Sequence, residues 1–170
     1  MIHQLDIYGQ DKVQKAIEII RFFEPSDGSG YWLAFSGGKD SVVVKSLMDM
    51  AGVKYETHYH VTSVDPPELV RFIKEVHPDI IFDYPRYENG ERITMWNLIP
   101  KKKMPPTRLM RYCCQSLKES GGQGRICVTG VRWAESTNRK NNQGPVTIPV
   151  KLKKEEGHSS FTKTPRGGWY

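Results

Sequence analysis

Two hydroxyls, two glycines, a lysine and an aspartate stand side by side in Ser36-Gly37-Gly38-Lys39-Asp40-Ser41. Together they suit one task, the holding of a phosphate. Adjacent glycines let a backbone turn tightly and approach a ligand closely. Lys39 supplies a full positive charge, and Ser36 and Ser41 supply hydroxyl donors. Where such a turn opens a helix, the first N–H groups point at the anion and the helix dipole favours it. The spacing is not that of the common nucleoside-triphosphate loop, which needs a glycine, four residues and then Gly-Lys-Ser/Thr. Here Asp40 follows Gly-Lys, and no glycine stands five residues before Gly38.

A second run is Thr129-Gly130-Val131-Arg132-Trp133-Ala134-Glu135-Ser136-Thr137-Asn138-Arg139. Arg132 and Arg139 can chelate phosphate or sulfate oxygens through their planar forks. Ser136 adds a hydroxyl, Glu135 can hold an arginine, and Gly130 permits close backbone approach at a strand end. A third run, Arg108 to Lys118, carries Cys113 and Cys114. Neighbours on a helix point about 100° apart. An iron–sulfur cluster needs further thiolates, and Cys127 is the only other cysteine, so a four-cysteine cluster is not expected from one chain. Structural cysteines, reactive thiols activated by Arg111 and Lys118, and cluster ligands all stay open. Cys127 lies in an apolar strand-like run and reads as a small core residue. His58 and His60 alternate on one face of a strand and read as strand surface, and no metal site is expected.

These groups need elements to position them. Tyr31–Phe35 reads as a buried strand, and Val42, Val43, Val44, Leu47, Met48 and Ala51 are spaced so that several share one face of the following helix, closed by Gly52. A helix is expected over 10–24 and strands over 54–62, 79–84 and 125–131. The 79–84 strand is apolar enough to be covered on both faces. Asp65-Pro66-Pro67-Glu68 reads as N-cap, first helical residue and capping-box partner of a helix that stops near His77-Pro78. Glu91–Ile99 reads as a short helix, 100–106 as an irregular basic connection, and Thr107 as the cap of a helix ending at Gly121-Gly122. Prolines make 145–150 an edge strand. The alternation predicts an α/β fold, a three-layer sandwich with a mostly parallel sheet of about five strands. Ligands of such sheets lie beyond the carboxyl ends of the strands, where both the 36–41 turn and the 132–139 loop fall. Residues 1–150 are expected to form a single nucleotide-binding domain, and 151–170 a charged, partly disordered tail.

With 38% hydrophobic and 26% charged residues among 170, wholesale disorder is excluded. No apolar run reaches membrane-spanning length and the N-terminus lacks signal-peptide features, which predicts a cytoplasmic protein without a membrane partner. A net charge of +6 favours acidic partners, nucleotides or nucleic acid. Lys101-Lys102-Lys103 and Lys151-Leu152-Lys153-Lys154 carry much of the excess and read as solvated loops or as contacts to nucleic-acid phosphates.

Three runs, Ser-Gly-Gly-Lys-Asp-Ser at 36–41, Arg-Tyr-Cys-Cys-Gln-Ser-Leu-Lys at 111–118 and Thr129–Arg139, resemble the phosphoadenosine phosphosulfate (PAPS) reductase family of the adenine-nucleotide alpha-hydrolase superfamily. Val64-Asp65-Pro66-Pro67-Glu68 matches as well, and the order of the runs agrees. The likeness covers roughly residues 10 to 150 and is to compact phage members. It implies an adenine nucleotide (PAPS, adenosine phosphosulfate or ATP) with its phosphates on Ser36, Gly37, Gly38, Lys39, Asp40 and Ser41. Arg132, Ser136 and Arg139 would hold the distal phosphate or sulfate, and Gly130 would line the nucleotide site. The implied activity is thiol-dependent reduction to sulfite, with a thioredoxin-like reductant and a possible homodimer. Catalytic roles would fall to Lys39, Arg132 and the Cys113/Cys114 pair. Family reductases use a C-terminal cysteine and cluster-bearing members a later Cys-x-x-Cys, and no cysteine follows Cys127 here. Two alternatives are an ATP pyrophosphatase that adenylates an acceptor for sulfur transfer, with magnesium, and a non-catalytic nucleotide- or nucleic-acid-binding module.

Overall fold

The computed structural model describes residues 9, 11–119 and 121–131. Arg132, Ser136, Arg139, the strand expected over 145–150 and the tail lie outside them. The chain divides into two units, Met1–Gly130 and Val131–Tyr170, and every described residue except Val131 belongs to the first.

Helix and strand alternate as α1 (Lys12–Phe22), β1 (Tyr31–Ala34), α2 (Lys39–Ala51), β2 (Tyr55–His60), α3 (Pro67–Val76), β3 (Ile81–Asp83), α4 (Met95–Lys102), α5 (Tyr112–Leu117) and β4 (Cys127–Thr129). The four strands form one parallel sheet in the order β3-β2-β1-β4. The fold is therefore α/β. β1 lies inside the sheet, which is why Tyr31-Trp32-Leu33 is an unbroken buried run rather than an alternating one.

Side chains of paired parallel residues share a face. Tyr31 and Leu33 pack with Ile17 of α1 and with Met48 and Ala51 of α2. Tyr59 packs with Phe35, Ile73 of α3 and Ile80. Three helices thus cover one face. Leu33, Met48 and Ile73 are fully buried there, and each such side chain contributes about 1.5–3 kcal/mol by leaving water. The Tyr31 hydroxyl donates to the Ile20 carbonyl at 2.7 Å and fastens α1 to the strand. Lys45 of α2 pairs with Asp79 at 3.0 Å. A separate cluster of Leu98, Tyr112 and Leu117 joins α4 to α5.

Several boundaries differ from expectation. Asp65 does not cap α3: Pro66 holds that position, and Asp65 accepts instead from the Thr62 amide (3.1 Å) and hydroxyl (2.6 Å). Glu68 makes no capping box and meets Arg71 at 3.4 Å. α4 starts at Met95, where Thr94 and Asn97 cap each other reciprocally, and runs through Pro100 to Lys102. Pro100 is tolerated in the last turn because it removes a single helical hydrogen bond, the one its N–H would have made to residue 96. Thr107 caps a turn, accepting from the Met110 amide at 3.0 Å, and α5 begins only at Tyr112. β3 and β4 are shorter than expected, and Ile81 is 45% exposed, so β3 is not covered on both faces.

Candidate functional site

β1 ends at Ala34, and the Phe35 amide extends its ladder by donating to the His58 carbonyl at 2.9 Å. The chain then turns through Ser36 and Gly37 into α2. Gly37 has φ +73°, and a Cβ there would lie 2.6 Å from Leu69 Cδ1 and 3.0 Å from Ile73 Cδ1. The turn is thus pressed onto α3 at a position only glycine fills without strain. Gly38 is the N-cap of α2 and offers no side-chain acceptor to the first-turn amides, which have no partner within a helix. Lys39 is exposed beside them and Asp40 is half-buried.

The two serines divide the work. The buried Ser41 hydroxyl donates to the Gly38 carbonyl at 2.8 Å and accepts from the Ser36 amide at 3.3 Å, so it braces the turn from within. Ser36 is exposed; its hydroxyl donates to Ser41 Oγ at 3.3 Å and accepts from the Gly38 amide at 3.4 Å. Gly130, just past β4, backs the same turn: a Cβ on it would lie 3.0 Å from the Asp40 carbonyl carbon and oxygen and 3.2 Å from the Ser41 nitrogen. The structure therefore brings Ser36–Ser41 and Gly130 together. The arrangement presents amides, one hydroxyl and one ammonium group to an anion beyond the carboxyl end of an inner strand.

Beyond the end of β2 stand Ser63 and Asp65, of which the sequence had marked only Asp65, as a helix cap and within the 64–68 match. Ser63 has φ +69°, a rare backbone state for a serine, and its hydroxyl accepts from the Met95 amide at 3.0 Å. That bond ties α4 to the carboxyl edge of the sheet. Burial pushes the Asp65 carboxyl up. The Thr62 hydroxyl and amide, the Tyr59 hydroxyl and the Lys118 charge outweigh burial and hold it below the usual range. Tyr59 is pushed up in turn, by burial and by Asp65. Asp65 is thus a carboxylate held ionised beyond the end of β2, a residue that the sequence had marked as a helix cap and as part of the Val64–Glu68 match.

The opposite face of the sheet corrects the reading of the histidines. His58 and His60 are not strand surface: their side chains are 11% and 10% exposed. Trp32 stacks on His58 with ring centroids 4.7 Å apart, and His58 Nδ1 lies 2.8 Å from Asp83 Oδ2. Gly121 and Gly122 cover Trp32 so closely that a Cβ on either would lie within 3.0 Å of its ring. Arg125 braces this side, bonding Glu56 and donating to the Ser29 carbonyl at 2.8 Å and the Tyr31 carbonyl at 3.2 Å. That contact with Arg125 holds the Glu56 carboxyl low.

Both ring nitrogens of His60 are buried without a hydrogen-bond partner among the described residues. Burial pushes its pKa down, against the pull of Asp83. A base whose folded pKa is depressed binds its proton less readily than in the unfolded chain, so stability falls as pH drops below the ordinary histidine value. Unfolding midpoints in urea are expected to decline between about pH 7.5 and 5.5, and His60→Gln to flatten that slope. An unchanged slope in His60→Gln would contradict this account of the ring. The lowered carboxyls of Asp65, Glu56 and Asp79 act in a separate, lower window, losing stability only as pH falls through the carboxylate range.

Cys113 and Cys114 are both half-buried on α5, with sulfurs 4.0 Å apart, and Arg111 Nη2 lies 3.4 Å from Cys114 Sγ. Cys113 packs against the Leu98–Tyr112–Leu117 cluster. No hydrogen bond among the described residues joins either thiol to the 36–41 turn. Cys127 is exposed rather than a core residue. Its thiol donates to the Gly122 carbonyl at 3.4 Å, and burial on that side pushes its pKa up against the charge of Arg125. Among the described residues no group of three or more His, Cys, Asp or Glu is placed to hold a metal ion. None of their helices is long and apolar enough to cross a membrane. Comparisons of the chain with known protein families, characterised proteins and solved structures found no match.

Proposed function

We propose that this chain binds an adenine nucleotide by its phosphates at the Ser36–Ser41 turn, as a member of the PAPS reductase family. The observation that carries the reading is the left-handed Gly37 followed by the side-chain-free cap Gly38 at the N-terminus of α2, directly after an inner parallel strand. In this reading the sheet is completed by a fifth strand over 145–150 in a three-layer sandwich, and residues 1–150 form one domain. Arg132, Ser136 and Arg139 supply the second half of the site and hold the distal phosphate or sulfate.

The reaction in this reading is reduction of a phosphosulfate. A thiolate of Cys113 or Cys114 attacks the sulfate sulfur, the bond from sulfur to the bridging phosphate oxygen breaks, and adenosine bisphosphate leaves, its charge met by Lys39 and the α2 amides. The cysteine S-sulfonate is then attacked at its cysteine-linked sulfur by a thioredoxin-like dithiol. Sulfite leaves with the electron pair and the dithiol becomes a disulfide. A second reading, cleavage of ATP between its alpha and beta phosphates, is favoured by Asp40: a carboxylate in the first turn beside a phosphate site suits a magnesium-bound triphosphate.

Titration calorimetry with PAPS, adenosine phosphosulfate and ATP tests the common premise. At least one is expected to bind, and Lys39→Ala to weaken it about 10- to 100-fold, the worth of a charged hydrogen bond. Binding of none would overturn both readings. Sulfite release with thioredoxin, lost in Cys113→Ser/Cys114→Ser, selects the first; pyrophosphate release from ATP selects the second.

A further inference from the structure

Residues 92–118 hold seven of the chain's 25 basic residues and none of its 19 acidic ones. The rest of the chain, with 18 basic and 19 acidic residues, sums to within one charge of neutral, although it holds a basic run of its own at 151–154. The segment is built as a unit. The Leu98–Tyr112–Leu117 cluster packs α4 on α5, and the Tyr112 hydroxyl donates to the Met104 carbonyl at 2.7 Å. Among the described residues no carboxylate pairs with Lys101, Lys102, Lys103, Arg108 or Arg111.

Apolar groups of the same segment are exposed as well. Trp96, on the outer side of α4, is 72% exposed, and Leu109 is 96% exposed. Indoles are seldom left so bare on a soluble surface. Leu109 also lines a surface depression of about 460 Å³, together with Met110, Arg111, Tyr112, Gln115 and Glu119. Cations and an open aromatic ring carried on one packed segment suit single-stranded nucleic acid, whose backbone is neutralised by lysines and arginines and whose bases stack on rings. An acidic protein partner would use the same charges, and polyglutamate in the test below stands for it.

We infer that the α4–α5 segment binds single-stranded nucleic acid, with Trp96 as a stacking platform and Lys101, Lys102, Lys103, Arg108 and Arg111 on the phosphates. The inference is independent of the nucleotide site. Fluorescence anisotropy of the full chain with labelled single-stranded DNA and RNA, a duplex of the same sequence, polyphosphate and polyglutamate tests it. Single strands are expected to bind best, with log affinity falling against log salt by about 0.7 per phosphate contacted. Trp96→Ala, whose ring is exposed and whose fold is checked by circular dichroism, is expected to lose about 5- to 150-fold. Lys101→Glu/Lys102→Glu/Lys103→Glu is expected to weaken binding and lower the salt slope by about 2. Polyphosphate or polyglutamate binding as well as the oligonucleotides, duplex preference, or an unchanged Trp96→Ala affinity would each overturn the inference; the tryptophan variant decides even if the triple variant does not fold.

Discussion

Gly37→Val is expected to destabilise the protein by about 2–6 kcal/mol and to abolish anion binding at the 36–41 turn. Two costs combine. A β-branched residue at φ +73° occupies a backbone state it almost never adopts, worth about 1–3 kcal/mol. The added carbons also meet Leu69 and the fully buried Ile73, and overpacking of that kind costs about another 1–3 kcal/mol. Relief of either cost requires the turn to lift from α3, which disperses the amides at the start of α2 that the proposed phosphate site uses. Urea midpoints at constant m-value measure the first effect and calorimetry with the nucleotide the second. Gly37→Ala should fall between wild type and valine, because the Leu69 methyl is the far end of a mobile side chain. Less than about 1 kcal/mol for the valine variant would mean that the turn does not hold this conformation.

Gly121→Val should cost about 3–5 kcal/mol, through the other face of the sheet. A Cβ there would lie 2.5 Å from Trp32 Cζ2 and 2.6 Å from His60 Nε2, and both rings are enclosed. Neither ring has room to yield, since Trp32 is stacked on His58 and edge-on to His60. The covering loop must move away instead, returning an indole to water. A double-mutant cycle checks the cause. Trp32→Ala makes the missing space, so Gly121→Val should be far less costly in that background. Simple additivity of the two changes would rule out the proposed clash.

What could be read from the sequence follows from how local each signal is. β1, the phosphate turn and α2 are encoded within one stretch: an apolar run, two glycines, then helical spacing closed by Gly52, whose amide caps α2 as expected. α3 was legible through Leu69 and Ile73, while its cap was not, because Asp65 had a competing partner three residues back in Thr62. The start of α4 was misplaced because its capping box uses Asn97, not the glutamate or glutamine such boxes usually carry. The histidines were misread for a different reason. Their polarity suggests a surface, and what buries them, Asp83 and Gly121, comes from positions 23 and more residues away. Cys127 failed in the opposite sense, since an apolar neighbourhood in sequence did not place it inside. Of the candidate site, the structure brings the turn and Gly130 together; Asp65 was marked in the sequence as a cap, and Ser63 required the structure.

The sheet order has a bearing on how the chain folds. Trp32 pairs with Cys127, 95 positions later, whereas β1–β2 and β2–β3 close through much shorter loops. Non-local pairings form slowly, because loop closure must be met before contact rewards it. During synthesis, β1, β2 and β3 can assemble with their helices while one edge of Tyr31–Ala34 still waits for its neighbour. That edge carries a tyrosine, a tryptophan and a leucine, and an apolar strand left open is a template for joining other chains. The last described strand therefore acts as a latch for that edge, while Gly130 just beyond it backs the 36–41 turn. Slowing its arrival, or weakening its few hydrogen bonds, should show first as aggregation of newly made chains rather than as altered chemistry.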